Sequence, residues 1–250
     1  MNYLVKQVNP FNDEEILQET KELYLSSFSI ELLETWDDLL RLLKKYHPYS
    51  SDKPDLHKKM GMLCALKDGH DNNTITGFLI FTVDTSNNWI FLDYLAVKPE
   101  MMGMGIGTFL IKQAYPFAYK WSGLKGATFE FKALLGEIEP INPHVPYEAS
   151  IINRRRRKFF HRLGFKKLDV KYFQPDIGIK DSPVQLDLII KPITWLPPYT
   201  PGEIRRFIKE IYKVIYELDE AGVNALLPAM NGIDNNREIH VLPLHSPESP

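Results

Sequence analysis

The sequence has a single cysteine, no long hydrophobic run and almost no net charge, and each scarcity argues against a class of protein. Cys64 cannot form a disulfide within the chain, and residues 1–15 lack the basic and then apolar layout of a signal peptide, so we expect a cytoplasmic protein. The hydrophobic runs are shorter than the roughly 18 residues that cross a bilayer, so no membrane partner is expected. A formal net charge of -2 gives no global electrostatic reason to expect a nucleic-acid partner.

The chain has the length of one large domain, or of one domain with an appendage. Its composition changes after Pro192, where closely spaced prolines lead into a helix start at Thr200–Glu203 with the capping-box pattern. We therefore predict a main domain over residues 1–192 and a C-terminal helical extension with a tail over residues 193–250. The apolar stripe of this helix should pack on the main domain or on a second copy of the chain, which would make a homodimer.

Helical and strand-like periodicities are mixed along the chain, which predicts an α+β protein. Strands are expected at residues 3–8, 61–67, 74–84, 89–97, 127–131, 165–173 and 184–190, the second to fourth as an antiparallel meander. Helices are expected at residues 12–26 and 29–43, from the glycines after residue 97 to about Pro116, from Asn153 to Gly164, and at residues 200–218. Residues 136–150 look like a loop, and residues 231–250 look irregular.

Three glycines at alternate positions, Gly103, Gly105 and Gly107, follow the strand that ends at Val97 and precede a helix. Glycine lets the backbone approach a ligand closely, and the amides at a helix start favour phosphate. A dinucleotide fingerprint would need glycine at Thr108, and a triphosphate loop would need a Gly-Lys-Ser/Thr ending that the segment lacks. An acyl-CoA loop, which also binds a pyrophosphate, is the remaining interpretation.

The segment Leu92–Ile111 resembles the acyl-CoA signature of the GNAT acetyltransferases, in which an apolar strand precedes Arg/Gln-x-x-Gly-x-Gly/Ala. Met102 stands where that family usually has Arg or Gln, which removes a side-chain contact and keeps the main chain. A second segment, Asn153–Phe165, is similar to the later GNAT pattern of Asn, a small residue, an aromatic position and Gly-Phe. Arg156 stands there in place of the usual Ala, and Phe160 in place of the usual Tyr.

The resemblance implies a GNAT fold, with a central mixed, mostly antiparallel twisted sheet flanked by helices. It also implies N-acetyl transfer from acetyl-CoA to a primary amine by direct transfer in a ternary complex, without a metal. The expected partners are therefore an acyl-CoA and an amine acceptor. The residues expected to bind the acyl-CoA are Leu95, Ala96, Val97, Met102, Gly103, Met104, Gly105, Ile106, Gly107, Thr108, Asn153 and Phe160.

Acyl transfer to an amine requires that a base remove a proton, because a lysine-like ammonium has a pKa near 10.4. Asp93 and Glu130 are acids within otherwise apolar segments that the resemblance places beside the thioester, so both are candidate catalytic bases. Each could instead form an ion pair or face water at a strand end. Phe160 cannot act as the tyrosine acid of the family. Either the coenzyme A thiolate leaves unassisted, which its moderate pKa permits, or a hydroxyl such as that of Tyr172, or water, supplies the proton.

Two other functions stay open at this point. The first is a non-catalytic GNAT-fold module that senses acyl-CoA or binds a protein partner through the C-terminal helix. The second is nucleic-acid binding through the basic run Arg154–Arg157, although the near-neutral charge weighs against it. A solvated helix face explains the basic run more simply.

Overall fold

The computed structural model describes residues 3–51, 57–67, 74–122, 130–141, 147–177, 182–226 and 238–244. The chain divides into two compact units. The first unit holds residues 1–129 and 177–179, and the second holds residues 130–176 and 180–250. Within the described ranges, no helix is both long and apolar enough to span a bilayer.

The helices are α1 (Glu14–Ser27), α2 (Trp36–Tyr46), α3 (Ile106–Ser122), α4 (Tyr147–Arg162), α5 (Pro201–Val214) and α6 (Glu220–Leu226). The strands are β1 (Tyr3–Gln7), β2 (Lys58–Lys67), β3 (Ile75–Asp84), β4 (Trp89–Val97), β5 (Ala133–Ile138), β6 (Lys166–Leu168), β7 (Tyr172–Gln174), β8 (Val184–Pro192) and β9 (Val241–Pro243). In both units, antiparallel strands form sheets that helices flank, so the predicted α+β class is confirmed.

The first unit is built on an antiparallel meander in the order β1, β2, β3, β4. Alternate side chains of its strands face opposite sides because the side-chain period of a strand is two. Met62, Phe78 and Tyr94 belong to a buried cluster with the apolar faces of α1 and α2. This side of the sheet is the main hydrophobic core of the unit.

Helix α3 packs on the opposite side of the meander, where two glycines let it come close. A Cβ added to Gly61 would lie 2.0 Å from a ring carbon of Trp121. A Cβ added to Gly77 would lie 2.8 Å from the Ala96 carbonyl oxygen of β4 and 3.2 Å from a methyl carbon of Ile106. The Trp121 ring also stacks on Phe81 with centroids 5.0 Å apart. Gly77 therefore lies under the start of α3 and Gly61 under its end.

The second unit contains the antiparallel strand order β5, β8, β6, β9, with β7 also paired to β8. Arg157 of α4 is buried and forms an ion pair with Asp187 of β8 at 2.7 Å. From α5, the Tyr212 hydroxyl donates to the carbonyl of Phe173 in β7 at 2.7 Å. The C-terminal helix thus packs within the chain, and a homodimer stays a prediction, as does the domain boundary at residue 192.

Several sequence predictions about the elements are wrong. The sequence predicts a strand at residues 127–131 and a loop over residues 136–150. The structure instead has strand β5 at Ala133–Ile138, which begins after the predicted strand and overlaps the predicted loop. Residues 127–129 of the predicted strand lie outside the described residues. Helix α4 begins at Tyr147, six residues before Asn153, and α2 begins at Trp36 behind its Thr35 cap.

Two further differences concern segments that local sequence signals predict to be broken or irregular. Helix α3 continues through Pro116, because Ala114 and Ala118 on either side of it are completely buried and hold the helix in place. Residues 241–243, predicted to be irregular, form β9 by pairing with β6. In each case tertiary packing outweighs the local signal.

We expect Gly61→Ala to lower the free energy of unfolding by about 1–3 kcal/mol, because its methyl group would overlap the Trp121 ring. Urea unfolding followed by tryptophan fluorescence and circular dichroism measures this change. Gly202→Ala is the matched control, since an added Cβ there meets nothing within 4 Å, and it should stay within about 0.5 kcal/mol of wild type. Equal stabilities of the Gly61 variant and wild type would contradict the close packing of α3.

Candidate functional site

The glycine loop joins β4 to α3 through a short 3-10 turn, Pro99–Met101. Gly103 and Gly105 have φ angles of 83° and 82°, in the left-handed region that side-chain-bearing residues rarely adopt. A Cβ built on either glycine would meet nothing within 4 Å. Backbone conformation is therefore the constraint that requires glycine here, and the surrounding space is open to a ligand.

The first turn of α3 has amides that the helix itself does not use. The first helical hydrogen bond runs from the Phe109 amide to the Gly105 carbonyl at 2.9 Å, so the amides of residues 106–108 have no partner within the helix. Amides at this end, together with the helix dipole, favour an anion such as a phosphate. The amides of Met102 and Met104 donate within the turn, to Pro99 at 3.2 Å and to Met101 at 3.4 Å.

The sequence-predicted base Asp93 lies on β4 at a β-bulge. Ile80 of β3 pairs with Tyr94 and Phe81 pairs with Leu92, which leaves Asp93 as the extra residue. The Thr82 hydroxyl donates to the Asp93 carboxylate at 3.0 Å and 3.3 Å. The bulge thus re-aims an acidic side chain just before Leu95–Val97, the segment predicted to bind the acyl-CoA arm.

The other sequence-predicted base, Glu130, is exposed and precedes β5, so it does not lie within a strand. The predicted acyl-CoA residues Asn153 and Phe160 both lie on α4. The Asn153 side-chain nitrogen donates to the Pro140 carbonyl at 3.0 Å, while its buried side-chain oxygen has no partner among the described residues. The Phe160 ring is buried and packs edge-on against Phe165 at 5.2 Å.

The basic run of α4 is partly used inside the second unit. Arg157 donates to the Leu244 carbonyl at 3.0 Å as well as to Asp187, and Arg156 forms an ion pair with Glu139. Two of the four consecutive arginines therefore hold the fold together. Arg154 and Arg155 remain exposed, which fits a solvated helix face.

An acid that the sequence reasoning missed is Glu137 on β5, which is half-buried. One of its oxygens accepts from the Tyr172 hydroxyl, and the other accepts from the Tyr216 hydroxyl at 2.6 Å. Burial raises the pKa of Glu137 to about 7, and the two tyrosine hydrogen bonds partly oppose this rise. The sequence signal for this residue is an acid within the otherwise apolar run Ala133–Ile138. The prediction of a loop over residues 136–150 includes Glu137, so the sequence analysis does not identify it.

Comparison with known proteins finds a family model that matches part of the chain and solved structures with a similar fold. Residues 17–131 match the model of the Acetyltransferase (GNAT) family. A GNAT-family structure from Bacteroides thetaiotaomicron has 16% sequence identity and a TM-score of 0.58, covering 86% of this chain and 99% of that chain. This similarity shows that the chain has the GNAT fold. No curated protein matches at a significant level.

Two further solved structures match with lower TM-scores. The ribosomal-protein-S18-alanine N-acetyltransferase from Escherichia coli has 14% identity and a TM-score of 0.47, covering 78% of this chain and 97% of that chain. The PaiA N-acetyltransferase from Thermoplasma acidophilum, in complex with coenzyme A, has 17% identity and a TM-score of 0.43, covering 77% and 100%.

Glu137 should make the free energy of unfolding depend on pH. Its folded pKa of about 7 lies above the ordinary value of 4.5, so its contribution is most favourable below pH 4.5 and is lost as the pH rises through 7. The expected loss is on the order of 2–3 kcal/mol. Denaturant unfolding from pH 4.5 to 8 should show this loss in wild type but not in Glu137→Gln.

Glu139→Gln is the matched control for this measurement, because Glu139 follows the same strand and forms an ion pair with Arg156. It should keep the loss of stability that belongs to Glu137. Parallel stability curves for wild type and Glu137→Gln over this pH range would show that the Glu137 carboxyl titrates normally in the folded protein.

Proposed function

Because residues 17–131 match the model of the Acetyltransferase (GNAT) family, we propose that the chain transfers an acetyl group from acetyl-CoA to a primary amine. Transfer is direct, within a ternary complex of protein, acetyl-CoA and amine. The observation that carries this proposal is the glycine loop, whose left-handed glycines open space in front of the first-turn amides of α3. The pyrophosphate of acetyl-CoA is the anion these amides would bind.

The remaining contacts to acetyl-CoA are assigned by chemistry. Main-chain groups of Leu95–Val97 bind the pantetheine arm and polarise the thioester carbonyl, as an oxyanion hole does. The side-chain oxygen of Asn153, which has no partner among the described residues, would accept from an amide of acetyl-CoA. Phe160 supplies an apolar ring with no hydroxyl. We expect this chemistry to need no metal.

In the reaction, the neutral amine attacks the thioester carbonyl and the carbon–sulfur bond breaks, so that coenzyme A leaves as a thiolate. Its pKa resembles the 8.5 of cysteine, and departure therefore does not depend on an acid at Phe160. Asp93 and Glu130 are the proposed bases that remove protons from the amine. The bulge at Asp93 and its Thr82 hydrogen bonds support a defined role there more than the exposed position of Glu130 does.

The alternative function is an acyl-CoA-sensing or protein-interaction module without catalysis. Met102 and Phe160 favour it, since each departs from the family pattern at a site residue. Binding of acetyl-CoA without any transfer to an amine would select this alternative.

The cytoplasmic location inferred from the lone Cys64 stays a prediction.

Acetyl-CoA should bind to wild type, and Gly105→Val should weaken binding at least about tenfold, or about 1.4 kcal/mol. The reason is that a β-branched residue cannot adopt the φ angle of 82° without moving the loop amides. Isothermal titration calorimetry measures both affinities, with Gly202→Ala as a control that should bind like wild type. Unchanged affinity in a folded Gly105→Val protein would show that acetyl-CoA binds elsewhere.

Asp93→Asn should lower the rate of coenzyme A release with an accepted amine by about 10²–10⁴-fold, because it removes a proton acceptor and keeps the side-chain shape. Glu130→Gln is the parallel test of the second candidate base. Rates are measured across pH by thiol detection, after calorimetry shows unchanged acetyl-CoA affinity. Either acid is eliminated as a base if its amide variant stays within a few-fold of the wild-type rate at every pH.

A further inference from the structure

Thr82 is a polar residue at a buried position of β3. The strand residues on either side of it, Phe81 and Val83, are completely buried and apolar. Its partners across the sheet, Met60 of β2 and Phe91 of β4, are also buried and apolar. A hydroxyl in such surroundings costs stability unless it makes a hydrogen bond. The hydroxyl of Thr82 is therefore expected to serve a specific partner.

That partner is the carboxylate of Asp93. The Thr82 hydroxyl lies 3.0 Å from one of its oxygens and 3.3 Å from the other, so a single proton is shared between the two. An ionised carboxylate has about four lone-pair sites, of which one shared proton uses a small part. Asp93 is half-buried, while Thr82 is buried. The contact therefore holds the carboxylate and leaves it the capacity to accept a further proton.

The two side chains differ in how firmly the sheet holds them. Thr82 lies on a strand that is paired on both sides, whereas Asp93 is the extra residue of a β-bulge. The branched Cβ of a threonine restricts its χ1, while the terminal torsion of an aspartate has a broad distribution. A stiff donor on a fixed strand thus sets the orientation of the Asp93 carboxylate.

Thr82, Asp93 and the segment Leu95–Val97 all belong to the first unit. Gly77 and Leu79 of β3 pair with Val97 and Leu95 of β4, and Thr82 lies further along the same strand. The threonine, the acid and the main-chain groups proposed to hold the thioester are therefore built on one pair of hydrogen-bonded strands. The orientation of the Asp93 carboxylate thus bears directly on the place where the amine would react.

We propose that Thr82 is a positioning residue, which holds the Asp93 carboxylate in the orientation that accepts a proton from the amine acceptor. This inference rests on the proposed function, since Asp93 is one of its candidate bases. In the step itself an N–H bond of the ammonium breaks, the proton passes to an Asp93 oxygen, and the electron pair stays on nitrogen. Thr82 donates a hydrogen bond and transfers no proton.

Thr82→Val removes the hydroxyl and keeps the branched shape, so it should lower kcat for an accepted amine by about ten- to a hundredfold. The KM for acetyl-CoA should change little, because the glycine loop is untouched. Thr82→Ser restores the hydroxyl and should recover most of the rate, while Thr82→Ala should show the same loss as Thr82→Val. Thiol detection at saturating amine measures the rates, and circular dichroism checks that each variant is folded.

Thr76→Val is the matched control on the same strand. Thr76 is also buried, and its hydroxyl donates to the Ala65 carbonyl at 3.0 Å in place of an acid. This variant likewise loses a buried hydroxyl of β3, so it should be less stable than wild type. Its kcat should nevertheless stay close to the wild-type value, because no contact to Asp93 is removed.

A double-mutant cycle separates positioning of the acid from packing of the strand. If Thr82 acts through Asp93, Thr82→Val should lower kcat in the wild-type background and have no further effect in Asp93→Asn, which already lacks the base. A purely structural role of Thr82 in β3 would lower kcat by the same factor in both backgrounds. That result would overturn the inference.

The outcomes distinguish this inference from the proposed function. A wild-type protein that acetylates an amine at a rate that Thr82→Val leaves unchanged overturns the positioning role and keeps the transfer activity. An Asp93→Asn protein with the wild-type rate does the same, since Thr82 then has no base to position. A wild-type protein that binds acetyl-CoA but acetylates no amine overturns both.

Discussion

The close seating of α3 on the meander is the constraint on which the candidate site depends. Gly61 and Gly77 remove side chains where Trp121 and Ile106 must lie, so both ends of the helix rest directly on the sheet. The loop from β4 then has a fixed start and a fixed end, and it spans the gap with two left-handed glycines. The amides at the start of α3 are consequently held in place before any ligand arrives, which lowers the entropic cost of binding one.

Ion pairs from a basic helix help to stabilise the second unit. Its basic helix supplies Arg156 and Arg157 to buried or half-buried acids, so the arginine run is partly a structural device and gives little support to nucleic-acid binding. Glu137 differs from Glu139 and Asp187, because its carboxylate accepts from two tyrosine hydroxyls where those two acids pair with arginine. A carboxylate kept near neutral pKa is suited to binding or proton transfer and poorly suited to stabilising a fold.

The sequence predicts the glycine loop well because its requirement is local. Twenty residues contain all of its parts: an apolar strand, two glycines with positive φ at Gly103 and Gly105, and the start of a helix. Asp93 is likewise a candidate base that the sequence suggests, although the bulge that turns it toward Thr82 depends on strand register, which no local pattern fixes. The loop, the strand and this candidate base thus lie in one continuous segment.

Glu137 could not be assigned from the sequence for the opposite reason. Its partner Tyr216 lies 79 positions away, beyond a helix whose packing on β7 depends on Tyr212. The short strand Ala133–Ile138 also carries a glycine and an acid, which weaken its strand signal. Pairing with β8 over six residue pairs outweighs that weak propensity.

The most direct test of acetyl transfer is to incubate the protein with acetyl-CoA and a panel of primary amines, following free thiol and acetylated amine together by mass spectrometry. The account predicts that at least one amine yields thiol and N-acetyl product in equal amounts, and that matched alcohols yield neither. Thiol release without any acetylated amine, or no release with any acceptor despite bound acetyl-CoA, would contradict it.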